Sequence, residues 1–114
     1  MRLLLLGLAL VCTVSASANQ KIKQRIEKLF PGAIVKLLDP RDHFEACYEI
    51  LIPQKLDHFG DDSGTFMQKI YLFHTGYKAP VHLETEGYWA NPYTREMAKI
   101  LQGNQITVEY RFYG

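Results

Sequence analysis

The chain has 114 residues, 47% of them hydrophobic, and a formal net charge of +1. That length allows at most one domain, and near-neutrality without a basic cluster excludes the electrostatic footprint of a nucleic-acid binder. Its two cysteines, Cys12 and Cys47, are too few for a disulfide scaffold.

Met1-Arg2 is a short positive start, and Leu3 to Val14 is an unbroken apolar run. The run has the length of a secretory h-region and is short for a bilayer span. Ala16-Ser17-Ala18 then supplies the small residues of a cleavage site. Residues 1–18 are therefore expected to be a signal peptide cut after Ala18. The mature chain would begin at Asn19 and be exported, periplasmic or extracellular, without membrane association once the leader is removed. Cys12 lies in the leader, so Cys47 is left as the one mature cysteine, expected as a small core residue.

Ile22, Ile26, Leu29 and Phe30 recur at helical spacing, and Pro31-Gly32 ends the pattern. Ala33 to Leu38 predicts a short strand broken by Asp39-Pro40. His43 to Pro53 alternates, with Phe44, Ala46, Tyr48, Ile50 and Ile52 on one side, as a half-buried strand does. Thr65 to Thr75 is a second β-branched and aromatic run, and Gln54 to Gly64 joins the two. Val81 to Thr85 is a third strand. Asn91 is placed as a helix N-cap with Pro92 at the first helical position. Tyr93, Met97, Ile100 and Leu101 form the apolar stripe of that helix, and Gly103 is its left-handed closing residue. Ile106, Val108, Tyr110 and Phe112 alternate in a last strand with Thr107, Glu109 and Arg111.

This order predicts an α/β fold with a mixed sheet: an antiparallel start, then a right-handed strand-helix-strand crossover that makes the last two strands parallel. Two helices are too few to cover such a sheet on both faces, so the domain is expected to be incomplete. The last strand alternates, which a strand buried on both faces seldom does. Glu109 and Arg111 are thus open either to a buried charge pair or to a solvated edge.

The candidate chemistry is local. Leu56 to Thr65 (LDHFGDDSGT) contains Asp, His and Ser, but triad members are held on separate rigid elements. Its acidic residues also miss the alternate spacing of a calcium loop, so a solvated turn is the favoured reading. His43, His58, His74 and His82 share no metal-ligand spacing. No metal or other cofactor is expected. Glu86-Gly87-Tyr88-Trp89 is the best candidate site. Gly87 would turn the chain sharply at the mouth of a strand, and Gly87 and Tyr88 would offer backbone N–H groups to a developing oxyanion, each worth about 3 kcal/mol in the transition state. Glu86 offers a carboxylate to a substrate ammonium group, and Trp89 an aromatic wall.

Three segments together resemble a known family. Tyr48 to Lys69 carries a Q-x-L-D-H-F … G-T-F-x-Q-K pattern, Val81 to Tyr88 reads VHLETEGY, and Glu109 to Gly114 reads EYRFYG. The chain is similar to the start of the secreted tripeptidyl-aminopeptidase family of bacterial serine peptidases. It is more distantly similar to the lysosomal Pro-Xaa carboxypeptidase and dipeptidyl peptidase II group. The resemblance implies an α/β-hydrolase fold, a serine-histidine-aspartate triad, and peptide substrates cleaved from free N-termini. It also implies that the loop matching Glu86-Gly87-Tyr88 lies beside the oxyanion hole. No G-x-S-x-G elbow occurs in these residues. The chain is therefore expected to be an N-terminal portion of such a peptidase, without its nucleophile, acid or base, and inactive alone. The rival expectation is a complete small secreted α+β binding or inhibitory module without catalysis.

Overall fold

A computed structural model describes residues 18–61 and 64–112. The expected signal peptide lies, but for Ala18, outside the described residues, and none of the described helices is long and apolar enough to cross a membrane. The chain divides into two compact units, residues 1–31 and 32–114. In the first, residues 18–29 form helix α1. Ile26 is its buried apolar residue at 8% exposure, whereas Leu29 and Phe30 of the expected stripe are exposed. Gly32, with φ of 84°, takes up the left-handed turn that follows.

The second unit is a five-stranded mixed sheet. β1 (Ile34–Leu38), β2 (Ala46–Lys55), β3 (Thr65–His74), β4 (Val81–Glu86) and β5 (Asn104–Glu109) lie in the order β1-β2-β3-β5-β4. The pairings are antiparallel except for β4 with β5, which run parallel as the crossover rule requires. Helix α2 (Glu96–Leu101) makes the crossover.

The alternation read from the sequence sorts residues between two faces. On one, Cys47 and Phe73 pack with Tyr71, Ala90 and Ala98 into a buried cluster, and Phe44, expected on the Tyr48 side, joins it from the segment before β2; β2 is thus buried on both faces and not half-buried. Cys47 is a free thiol there, and burial pushes its pKa up, which suits an inert core residue. On the other, an apolar row crosses all five strands through Leu37, Tyr48, Leu72, Ile106 and Leu83. It is buried at Tyr48 on β2, and its ends are exposed at Leu37 and Leu83.

β5 is a central strand despite its alternation. Its polar members Gln105, Thr107 and Glu109 are buried on the α2 face. Each has a hydrogen-bond partner there, which is what makes polar burial tolerable. The strand ends at Glu109, so Glu109 and Arg111 form neither a buried pair nor one solvated edge.

Helix α2 departs from the sequence reading at both ends. Asn91 and Pro92 do not start it. It begins at Glu96 behind Arg95, which makes no side-chain cap bond, because residues 91–95 are drawn into bonds with the sheet described below. Only Ala98 of α2 is buried, and the Tyr93, Met97, Ile100 and Leu101 stripe is exposed. The short residue wins the sheet contact because the helix sits close to the strands. Gln102, with φ of 47°, is the left-handed closing residue instead of Gly103. Gly103 is required for another reason: a Cβ there would lie 2.5 Å from the Pro80 carbonyl oxygen. Gly103→Ala is expected to lower stability by about 1–2 kcal/mol, since the clash is with backbone. A shift in the urea midpoint checks this, and an unchanged midpoint contradicts the close approach.

The neighbouring Asn104 fastens the β3–β4 connection. Its Oδ1 accepts from the N–H groups of Thr75 (2.7 Å) and Gly76 (3.2 Å). Its Nδ2 donates to the carbonyls of Gly76 (2.8 Å) and Ala79 (3.2 Å). Every hydrogen-bonding position of the amide is in use.

Candidate functional site

β2 and β5 are both antiparallel to β3, and β4 is parallel to β5. β2, β4 and β5 therefore run the same way, and the segments after Lys55, Glu86 and Glu109 all leave at one edge of the sheet. This is the carboxyl edge, where α/β folds collect ligands. The three motifs singled out in the sequence meet there.

Arg111 ties the first motif to the third. Its Nη2 donates to the carbonyls of Lys55 (2.7 Å) and Leu56 (3.3 Å), and its Nη1 lies 2.6 Å from His58 Nε2. The guanidinium stacks 4.9 Å from the Phe66 ring and 5.0 Å from Phe112. Such stacking is worth about 0.5–1 kcal/mol at an exposed site. The loop after β2 closes through Leu56 N–H to the Gly64 carbonyl (2.9 Å), and Asp57 Oδ1 accepts from Phe59 N–H (2.9 Å) in an Asx turn. Its tip is exposed, with Phe59 fully in solvent. The expected solvated turn is thus exposed, yet it is bonded at its base to the chain after β5. Asp62 and Ser63 of this loop lie outside the described residues.

The connection from Gly87 to Arg95 has no regular structure. Side chains of the sheet hold it instead. Glu109 Oε2 accepts the buried Ala90 N–H at 2.8 Å. Gln105 donates to the Tyr93 carbonyl (2.9 Å) and accepts from Arg95 N–H (2.8 Å). Arg95 forks across the carboxylates of Glu84 and Glu86, and Glu84 also accepts from Thr107 Oγ1 (3.0 Å). From the other side, Arg41 donates to the Pro92 carbonyl. Thr94 donates to Asp42, whose carboxyl is held below its usual range by that hydroxyl and then by Lys99.

Glu86, the candidate ammonium recogniser, therefore already has a cationic partner. Tyr88 and Trp89 are 85% and 67% exposed, so both rings stand out at the carboxyl edge. Gly87 does not need its glycine for a sharp turn: it has no left-handed φ, and a Cβ there would meet the Tyr110 ring at an ordinary 3.5 Å. The structure brings Glu86, Gly87, Tyr88 and Trp89 to one edge with the Leu56–Gly64 loop. Arg95 and Gln105 were missed in the sequence, and Glu109 was left open between a buried and a solvated charge. Their signal was the polar half of an alternating strand placed beside a long connection.

Under this network, Tyr71 donates its phenol to Glu49 Oε2 (2.9 Å). Burial first, and then the Glu49 carboxylate, push its pKa up from 10.0 to about 12. The folded state holds this proton more tightly than the unfolded chain. Its contribution is therefore complete below pH 10 and is lost as pH climbs toward about 12. Tyr71→Phe is expected to flatten this alkaline decline in the urea midpoint, and an equal decline in both proteins would assign it elsewhere.

Comparisons with known proteins bear on the edge so described. The family model described as PS-10 peptidase S37 matches residues 18–114. A prolyl tri/tetrapeptidyl aminopeptidase of Streptomyces mobaraensis is 34% identical over 111 residues, covering 94% of this chain and 23% of the relative. The chain thus spans about a quarter of the length of the curated relative it matches. No solved structure matches it. With the family model covering all the described residues, the chain belongs to the PS-10 peptidase S37 family.

Proposed function

We propose that this chain is the N-terminal portion of an exported serine aminopeptidase of α/β-hydrolase fold, releasing short, tripeptidyl-type pieces from free N-termini. The chain forms one wall of the active site, and a nucleophile supplied by further sequence forms the other. The observation that carries this reading is the meeting of the three motif segments at one carboxyl edge, with Arg111 bonded to the loop after β2. Family membership and the printed activity of the Streptomyces relative support the reaction class. The parallel β4–β5 crossover is compatible with the fold.

In this reading a serine attacks the scissile carbonyl with a histidine as base. Backbone N–H groups at Gly87 and Tyr88 stabilise the oxyanion, and Trp89 lines the substrate cleft. Glu86 attracts the α-ammonium group, in competition with Arg95. The isolated 114-residue chain is inactive.

The test uses the full-length protein that begins with this segment. A fluorophosphonate should label one serine, and mass spectrometry should find short peptides released from free but not acetylated substrates. No labelled serine, or cleavage inside blocked peptides, overturns the proposal. Glu86→Gln should lower the preference for free N-termini, and an unaltered preference removes Glu86 from that role.

A further inference from the structure

We propose that Glu109 is a positioning residue for the oxyanion segment, acting through the peptide unit between Trp89 and Ala90. This rests on the reading above and names a residue that sequence reasoning left undecided. Glu109 is 3% exposed and closes β5 opposite Glu86, the last residue of β4. Its backbone is held on both sides. Gln68 Nε2 donates to its carbonyl at 2.7 Å, and the next N–H, of Tyr110, donates to the Glu86 carbonyl at 2.9 Å. From this fixed base the carboxylate Oε2 accepts the buried Ala90 N–H at 2.8 Å.

Two features point to position as its role. A buried carboxylate is expensive to desolvate, and a neutral amide could accept the same bond at lower cost. The arginines of the region are committed elsewhere, Arg95 to Glu84 and Glu86 and Arg41 to the Pro92 carbonyl. What the charge adds is a stronger, shorter and more directional bond to one backbone amide. That bond turns the Ala90 N–H inward, toward the sheet. The Trp89–Ala90 peptide plane is thereby set, and the amide of Ala90 is withdrawn from any substrate. Gln105 withdraws the Arg95 amide in the same way. The oxyanion donors proposed above, at Gly87 and Tyr88, lie just ahead of this fixed plane. Their direction depends on the plane that Glu109 fixes, and small misplacement of such donors costs rate steeply.

Two measurements test the proposal. In the full-length protein, hydrogen exchange at the Ala90 amide should be protected, lose protection in Glu109→Leu, and keep most of it in Glu109→Gln. In the full-length enzyme, the kcat per serine titrated by fluorophosphonate should fall on the order of 10–100-fold in Glu109→Leu, with KM changed less than about threefold. Glu109→Gln should restore most of the kcat. Titration normalises for lost fold, so a merely structural role would leave kcat per site unchanged, and that result overturns the proposal. An Ala90 amide unprotected in the parent chain overturns it as well. If no serine is titrated at all, the fault lies in the peptidase reading instead, and Ala90 protection then decides alone whether Glu109 positions the segment.

Discussion

Phe73→Ala is expected to lower the unfolding free energy by about 3–5 kcal/mol, the range for deleting a fully buried aromatic ring. Phe73 has no exposed surface and sits at the middle of the cluster between the sheet and α2. Its ring centroid lies 5.2 Å from Phe44 and 6.3 Å from Tyr71, and the Arg41 guanidinium is 5.2 Å above it. Strand neighbours on a rigid sheet cannot collapse into the space, so the cavity term adds to the lost transfer energy. The loss also travels. Arg41 holds the Pro92 carbonyl, and its Nε is buried without a hydrogen-bond partner, so the ring face is part of what orients it. Loosening Arg41 releases the middle of the Gly87–Arg95 segment. Urea unfolding at low protein concentration checks the magnitude, with Phe73→Leu as the smaller change expected to cost less than about 2 kcal/mol. A Phe73→Ala loss below about 1 kcal/mol would mean that the ring is not the centre of the core.

The sheet was legible in the sequence because its strands alternate strongly and their breaks are chemical. Asp39-Pro40 ends β1, and the parallel pairing of β4 with β5 follows from the crossover between them. The crossover helix was misread because Asn91-Pro92 is a good local helix start. Five side chains, from Arg41, Asp42, Glu84, Glu86 and Gln105, compete for the residues that would have made its first turn. Local propensity of a few tenths of a kcal/mol to about 1 kcal/mol loses to a network of charge-assisted bonds. The exposed stripe at Met97, Ile100 and Leu101 has the same origin, since the position of Arg95 rotates Ala98 toward the sheet. Of the candidate site, the position was legible and the bonding was not. The motif residues Glu86 to Trp89 stand at the carboxyl edge as read, whereas Glu109 and Arg95 act through tertiary partners that single-sequence periodicity does not encode.

Arg95→Met is expected to lower stability by about 2–3 kcal/mol. Glu84 and Glu86 are two apart on β4 and so share a face. Their side chains are 21% and 31% exposed, and that of Arg95 is 25% exposed. Removing the guanidinium leaves two partly buried carboxylates side by side with no fork between them. Full burial of such an orphaned charge would cost about 3–5 kcal/mol, and the remaining exposure places the value below that range. Methionine keeps much of the apolar stem of arginine, so the loss reports charge and hydrogen bonds more than packing. The triple variant Arg95→Met/Glu84→Gln/Glu86→Gln should recover more than half of the loss, because the repulsion disappears with the carboxylates. Arg95→Lys should recover less, since an ammonium cannot span both carboxylates as a planar fork does. Urea midpoints of the three variants distinguish these outcomes. A triple variant no more stable than Arg95→Met would show that the loss comes from the packing of the arginine side chain and not from carboxylates left without a cation. If Glu86 recognises the α-ammonium group as proposed, freeing it from Arg95 in the full-length protein should lower KM for peptides with a free α-amino group and leave acetylated ones unaffected. Equal KM changes for both would separate the stability of this edge from its selectivity.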